Sequence, residues 1–366
     1  MKITDIEAIP FRIPFYPELF LKFAYRTSGS ADHVLIRVHT DEGITGIAEA
    51  PARPQIYGET QDSIVSVIRK LLAPSVIDMD PFDLVTIHAA LDRIPYNFCA
   101  KAAVDIALHD VIGKYLKVPV YKLLGGKHTD SIPLSWMVGI KNTEGMLDEC
   151  VRFANDGFKA FKLKAGLDMD EDVRTFAAIR ESLGDAVNLY ADANMGFKSL
   201  HKAVETVNAL YKYNLSLIEE PLPLENWRNR RELARNIPVP VLGDESCKTP
   251  SDVRREIELG TVGIVLIKVA RTGFFKSREI VSLCKNANIP VMIGSQGDSS
   301  IGAASSAHMY VAAANIMAPA EISYHLRMKG DLLVRPPKLK NGFLELPDGP
   351  GLGCEIDDQA LAKFQI

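Results

Sequence analysis

Alternating apolar and polar positions open the chain and then give way to a slower rhythm. Lys2–Pro10, His33–Thr40 and Ile44–Ala50 read as strands, and Val34, Ile36 and Val38 share one face of a half-buried strand. The turn Asp41-Glu42-Gly43 joins the last two of them. From Thr60 to about Leu124 the apolar positions take helical spacing: Ile64, Val67, Ile68 and Leu71, then Ala103, Ile106 and Ala107 with Asp110. Gly125-Gly126 closes the segment. A sheet followed by helices predicts an α+β capping domain over residues 1–125.

From Ser131 one unit repeats: a short apolar run, a polar loop, an amphipathic helix. The runs are Leu134–Val138, Ala160–Leu163, Val187–Ala191, Leu217–Ile218, Val239–Leu242, Ile264–Val269, Val291–Ile293 and Met317–Ala320. Strands that alternate with crossover helices form a parallel sheet. Eight such units predict an α/β fold of the (β/α)8, TIM-like barrel type over residues 126–340. In such barrels the reactive side chains follow the C-terminal ends of the strands. The tail, 341–366, holds a short strand at Phe343–Leu346, a glycine turn and a short helix, and is expected to return to the cap.

Composition narrows the class without naming a chemistry. The 366 residues are 47% hydrophobic and 24% charged, ordinary for a soluble enzyme with two cores. The formal net charge is -4 and no Lys/Arg-rich block occurs, so no nucleic-acid partner is expected. No apolar stretch approaches about 20 residues, so no membrane span or signal peptide is expected. Cys99, Cys150, Cys247, Cys284 and Cys354 are scattered and contain no CxxC pair. They argue against structural zinc or a disulfide framework and suit a reducing cytoplasm. Neither HExxH nor GxSxG is present. Gly349-Pro-Gly351-Leu-Gly353 reads as a turn; Gly294-Ser-Gln-Gly297 either cradles a phosphate or shapes a pocket wall.

The residues that end the runs carry the chemistry. The second ends in Lys162-Leu-Lys164, the third in Asp192-Ala-Asn194, the fourth in Glu219-Glu220-Pro221 and the fifth in Asp244-Glu245-Ser246; the sixth contains Lys268. Lys162 and Lys164 are two apart on a strand and point to one side. Burial and mutual repulsion are expected to lower their pKa values towards the range of a general base. A lone lysine could instead snorkel to solvent or pair with a carboxylate. Asp192, Glu219 and Asp244 come from three consecutive strand ends. Such a cluster of acids suits a hard divalent cation, Mg2+ or Mn2+. Helix capping would explain one of Asp192, Asn194 and Asp244, but not an acid at all three ends. Glu220 and Glu245 alternate to the opposite side and are expected to support the ligands from behind. Such a site would bind a small carboxylate substrate on the ion and stabilise it as an enolate, while a lysine moves the proton on the adjacent carbon. Lys268 lies four strands from Lys162 and Lys164, so both faces of that carbon are within reach.

These motifs, together with Ala102-Ala103-Val104-Asp105-Ile106-Ala107 and Leu123-Leu124-Gly125-Gly126, make the chain resemble the enolase superfamily. Within it, the chain is similar to the muconate lactonizing enzyme subgroup along essentially its whole length. The resemblance implies metal ligation by Asp192, Glu219 and Asp244. It makes Lys164 and Lys268 the acid/base pair, with Lys162 tuning or assisting Lys164. The subgroup includes muconate cycloisomerases, dipeptide epimerases, succinylbenzoate synthases and N-acylamino acid racemases. Dipeptide epimerases carry Asp-x-Asp at the eighth strand end to hold an α-ammonium. Glu321-Ile-Ser323 departs from that pattern and looks like the muconate cycloisomerases.

Ala50-Pro-Ala-Arg-Pro54, Tyr57-Gly-Glu-Thr60 and Ala270-Arg-Thr-Gly-Phe274 look similar to an actinobacterial muconate-cyclising branch. The resemblance therefore implies conversion of cis,cis-muconate to muconolactone in aromatic-compound catabolism, with Lys268 as proton donor. The alternative is a dipeptide epimerase or N-acylamino acid racemase. Substrate contacts are expected from Glu321, Asn194, Ser295, Gln296, Arg53 and Tyr57, with Arg53 pairing a distal carboxylate. The loops Phe15–Ser30 and Ala52–Tyr57 should close the pocket. Tyr16, Phe20, Phe23 and Tyr25 would supply apolar walls, or else pack the cap on the barrel. Members are commonly homo-oligomers, often octamers, which the resemblance implies here as well.

Overall fold

The computed structural model describes residues 1–22 and 27–366. Ile3–Pro14 runs antiparallel to Ser30–Thr40, which pairs in turn with Thr45–Pro51. Val34, Ile36 and Val38 are buried as the alternation predicts, but so is Leu35 between them. The sheet is covered more fully than expected because helices Gln61–Val67 and Phe98–Leu116 both pack against it. Asp110, on the second of these helices, is buried; it accepts the backbone N–H of Ile47 at 2.8 Å and of Leu352 at 2.7 Å.

Hydrogen bonds run from the tail to a cap helix and to this sheet. Val120 N–H donates to Gly351 O (2.8 Å) and Ile366 N–H to Pro10 O (3.2 Å). Its short helix, Asp358–Phe364, starts at an Asp357 N-cap.

Seven parallel strands form one sheet in sequence order: Trp136–Val138, Ala160–Lys164, Asn188–Asp192, Leu215–Glu219, Val241–Gly243, Ile264–Lys268 and Val291–Gly294. The expected eighth run, Met317–Ala320, forms no regular strand. It contributes only isolated bridges, because Pro319 has no N–H to give a ladder. Those bridges reach both outer strands. Met317 N–H donates to Val291 O (2.7 Å) and Glu321 N–H to Ile293 O (2.8 Å), while Ala320 N–H donates to Pro133 O (2.8 Å) and Ala320 O accepts from Ser135 N–H (2.9 Å).

Inward-facing side chains change character along each strand. Tyr190, Leu217, Leu242, Ile264, Leu266 and Met292 make a separate apolar cluster. Two residues on come Asp192, Glu219 and Lys268, on the same face of their strands, and Asp244, just past the end of its own. The pleat thus carries an apolar floor into an ionic rim. All five cysteines are free and buried. Among the described residues, no helix is long and apolar enough to cross a membrane.

Candidate active site

The second parallel strand buries Lys162 and Lys164 one pleat apart. Lys164 Nζ lies 2.5 Å from Asp192 Oδ2 and 2.8 Å from Asn194 Oδ1. Lys162 Nζ is caged by three carboxylates: Glu219 at 2.5 Å, Glu321 at 2.8 Å and Asp192 at 3.3 Å. The Tyr190 hydroxyl supports this cage, 2.9 Å from Glu321 Oε1 and 2.7 Å from Ser135 Oγ. Lys268 Nζ pairs with Asp244 Oδ2.

The lowering of Lys162 expected from crowding does not occur. Burial pulls Lys162 and Lys268 down, but the carboxylates outweigh it: Glu219, Glu321 and Asp192 hold Lys162 well above its ordinary value, and Asp244 raises Lys268.

Capping does not account for the acids. The helices that follow begin at Ser199 and Thr249, whose side chains accept the capping N–H groups. Burial raises Glu219 well above the carboxylate range and Asp192, Glu321 and Asp244 push it further, against the pull of Lys162. Burial also opposes ionisation of Asp192 and Asp244. Lys164 and Lys162 nevertheless hold Asp192 below its ordinary value, and Lys268 and Arg271 hold Asp244 at about 2. Among the described residues no three His, Cys, Asp or Glu side chains stand as a ready ligand cage, since ammonium groups lie between the carboxylates. The donor set nonetheless fits a hard divalent cation: three mutually repelling carboxylates from adjacent strand ends. Glu219 Oε1, fully buried, has no hydrogen-bond partner, and Oε2 meets only the Lys162 ammonium among the described residues.

The three lysines, Asp192 and Asp244 surround a small cavity, which the fully buried Glu219 does not line. Of the expected contacts, Arg53, Asn194, Ser295, Gln296 and Glu321 line it as well. Tyr57 does not. Its hydroxyl turns to Arg271 Nη1 (3.3 Å) and to Gln296 Nε2, and the neighbouring Ile56 faces the cavity instead.

Glu245 also corrects its expectation. It lines the cavity, accepts from Asn194 Nδ2 at 3.2 Å, and is raised to about 7 by burial and by Asp244 and Asp192. Strand geometry stops at Gly243, so alternation no longer governs the side chains after it. Glu220 does face away. It binds Arg230 (3.3 Å) and Ser246 N–H (3.0 Å), anchoring the loop that carries Asp244.

The Gly294–Gly297 segment is a wall. Ser295 Oγ accepts from Gly297 N–H (2.9 Å) and Asp298 N–H (3.0 Å), and Asp298 Oδ1 takes Gln296 N–H (3.0 Å). The turn thus spends those donors on itself. Gly297 has φ +78°, and a Cβ there would stand 2.0 Å from Arg53 Nη2, so only glycine lets the guanidinium in. Tyr16 and Phe20 are exposed and line no part of the cavity, whereas Tyr324, packed edge-on against Phe15, does. Phe23 and Tyr25 lie outside the described residues.

Sequence reasoning missed Tyr190 and Arg271. Tyr190 lies two residues before Asp192, so the rule that grouped the acids also points to it. Arg271 follows Lys268 by three residues with no visible partner in the sequence, yet it is buried with Nη1 2.8 Å from Asp244 Oδ1.

Residues 12–125 match the mandelate racemase / muconate lactonizing enzyme N-terminal domain, and residues 145–360 match the enolase C-terminal domain-like family. The chain belongs to the enolase superfamily, in its muconate lactonizing enzyme subgroup, whose enzymes depend on a divalent metal ion. A muconate lactonizing enzyme from M. smegmatis, solved with muconolactone, superposes with a TM-score of 0.96 at 37% identity, covering 100% of both chains. Muconate cycloisomerase 1 of Rhodococcus opacus is 32% identical over 94% of this chain and 93% of its own. N-succinyl-L-Arg/Lys racemase of Bacillus cereus is 29% identical over 100% of this chain and 98% of its own. The protein is an isomerase of this family.

Proposed function

We propose that the protein is a muconate cycloisomerase that uses Mg2+ or Mn2+ to convert cis,cis-muconate to muconolactone. The observation that carries this reading is the engagement of Glu321. Its two oxygens are taken by Lys162 (2.8 Å) and Tyr190 (2.9 Å), and the Ser323 hydroxyl donates to Ser135 O at 2.7 Å. The end of the eighth segment therefore offers no ready carboxylate to a substrate ammonium. Across the cavity the buried Arg53 guanidinium meets no carboxylate at ion-pair distance among the described residues. Both features favour a dianionic substrate over a dipeptide. The likeness to enzymes named for muconate lactonisation supports the same choice.

In this reading Asp192, Glu219 and Asp244 hold the cation. When bound, it supplies Lewis-acid stabilisation of the charge that builds on the proximal substrate carboxylate. Arg53 orients the distal carboxylate, one oxygen of which adds to the carbon β to the proximal one. A carbon–oxygen bond forms, the π pair shifts towards the α-carbon, and Lys268 Nζ delivers a proton there, later recovered from solvent. Lys164, fixed by Asn194, faces the opposite side of that carbon. Lys162 stays protonated beneath them. The segment 316–321 is read as the eighth member of a closed (β/α)8 ring, a reading its hydrogen bonds to both outer strands support.

The test is turnover in deuterated buffer with Mn2+ present. The expected outcome is loss of the muconate diene absorbance with one deuterium in the lactone. A racemase, the reading that the Bacillus cereus relative favours, would leave muconate intact and exchange the α-hydrogen of an N-succinyl amino acid.

A further inference from the structure

Arg271 is fully buried at the start of the helix that follows the sixth parallel strand, and its fork is almost wholly spent on strand ends. Nη1 donates to Asp244 Oδ1 (2.8 Å) and Asp244 O (3.1 Å); Nη2 donates to Cys247 O (3.0 Å) and Leu266 O (3.1 Å). A planar guanidinium with four such acceptors cannot turn without losing several at once. Asp244 is therefore gripped from two sides, Oδ1 by Arg271 and Oδ2 by Lys268.

From the cap, Tyr57 reaches this arrangement. Tyr57 leans edge-on against Phe98, with ring centroids 5.7 Å apart, and sets its hydroxyl 3.3 Å from Arg271 Nη1 and against Gln296 Nε2. Tyr57 belongs to the same short turn as Arg53 and Ile56, which line the substrate cavity.

We infer that Arg271 is a positioning residue that sets the orientation of Asp244 and Lys268, and that Tyr57 seats it when the cap turn is in place. Arg271 touches no reacting atom; it fixes which Asp244 oxygen is spoken for and where the Lys268 ammonium rests. The inference rests on the reading of Asp244 as a cation ligand.

Mn2+ titration by electron paramagnetic resonance, alongside kcat and KM for muconate, tests it in five proteins: wild type, Asp244→Asn, Arg271→Met, Tyr57→Phe and the Arg271→Met/Tyr57→Phe double variant. Arg271→Met should weaken Mn2+ affinity by about tenfold or more, as removal of groups that orient metal ligands does. Tyr57→Phe should weaken it by a smaller factor, and add nothing in the Arg271→Met background, because its effect passes through Arg271. Additive losses would overturn the link to the cap. Wild-type Mn2+ affinity in Arg271→Met, with affinity lost in Asp244→Asn, would overturn the inference and leave the proposed function standing. Unchanged affinity in Asp244→Asn would remove the ligand reading and the inference with it. Should Arg271→Met not fold, Arg271→Lys keeps the charge without the fork and is expected to show the same loss in smaller measure.

Discussion

Lys162 and Lys164 differ by one turn of the pleat and by everything around them. Lys164 reaches the cavity and meets Asp192 and Asn194 there, whereas Lys162 is enclosed by Glu219, Glu321 and Asp192. Removing one partner from a buried charge cluster strands the others without compensation. Lys162→Met should therefore cost about 3–5 kcal/mol of stability, the range for breaking a buried ion pair. Urea denaturation without added metal measures it, and a loss below about 1 kcal/mol would contradict the cage. Much of this site could be read from spacing alone. The period of two put Lys162 with Lys164, and the strand ends collected Asp192, Glu219 and Asp244. The sign of the lysine shift could not be read. It is decided by acids from other elements, Glu219 first and then Glu321, whose approach depends on how the segment 316–321 is held.

Among the elements, the helix after the sixth parallel strand shows best why local pattern is not enough. Val269–Asn286 reads as continuous, yet Gly273 interrupts it at φ +62°, and a second helical stretch starts at Phe274. Asp105 from the cap helix Phe98–Leu116 explains the break. Its carboxylate accepts the Phe274 and Phe275 N–H groups and also receives His88 Nε2 at 2.7 Å. A Cβ on residue 273 would lie 2.3 Å from Asp105 Oδ2. Gly273→Ala combines a left-handed backbone with that collision and should destabilise the fold by about 2–4 kcal/mol. Because Arg271 precedes the break by two residues, kcat should fall as well. Chemical denaturation and steady-state kinetics check both, and stability within about 0.5 kcal/mol of wild type would contradict the account. Gly273 and Asp105 are plain in the sequence, but their meeting is tertiary. Pro319 acts in the other direction: an apolar run that counts as a strand loses its ladder for want of one N–H.

At the scale of the whole molecule, stability should fall with acid through two buried imidazoles. His308 Nδ1 accepts Tyr121 N–H (3.3 Å) and Nε2–H donates to Leu352 O (3.2 Å), so the neutral ring joins the helix Ser300–Ala312 to the cap and to the tail. Burial lowers His308 and His325 to about 4 each, whereas an unfolded histidine titrates near about 6.5. Between these values the unfolded chain binds protons that the folded one refuses. Stability therefore declines as pH drops from about 6.5 to 4, by up to about 1.4 kcal/mol per unit for each ring. His308→Gln should flatten that decline in denaturation curves taken at several pH values; an unaltered slope would show that His308 does not contribute.

Leu352 donates its N–H to Asp110, 242 positions earlier, and the backbone of Ile366 reaches that of Pro10. During translation the sheet of residues 3–51 is thus made well before residues 352 and 366, which complete the contacts around it. A nascent chain must keep that edge from other partners until residues 351–366 have emerged, and a premature stop before them would be felt more than 200 positions earlier.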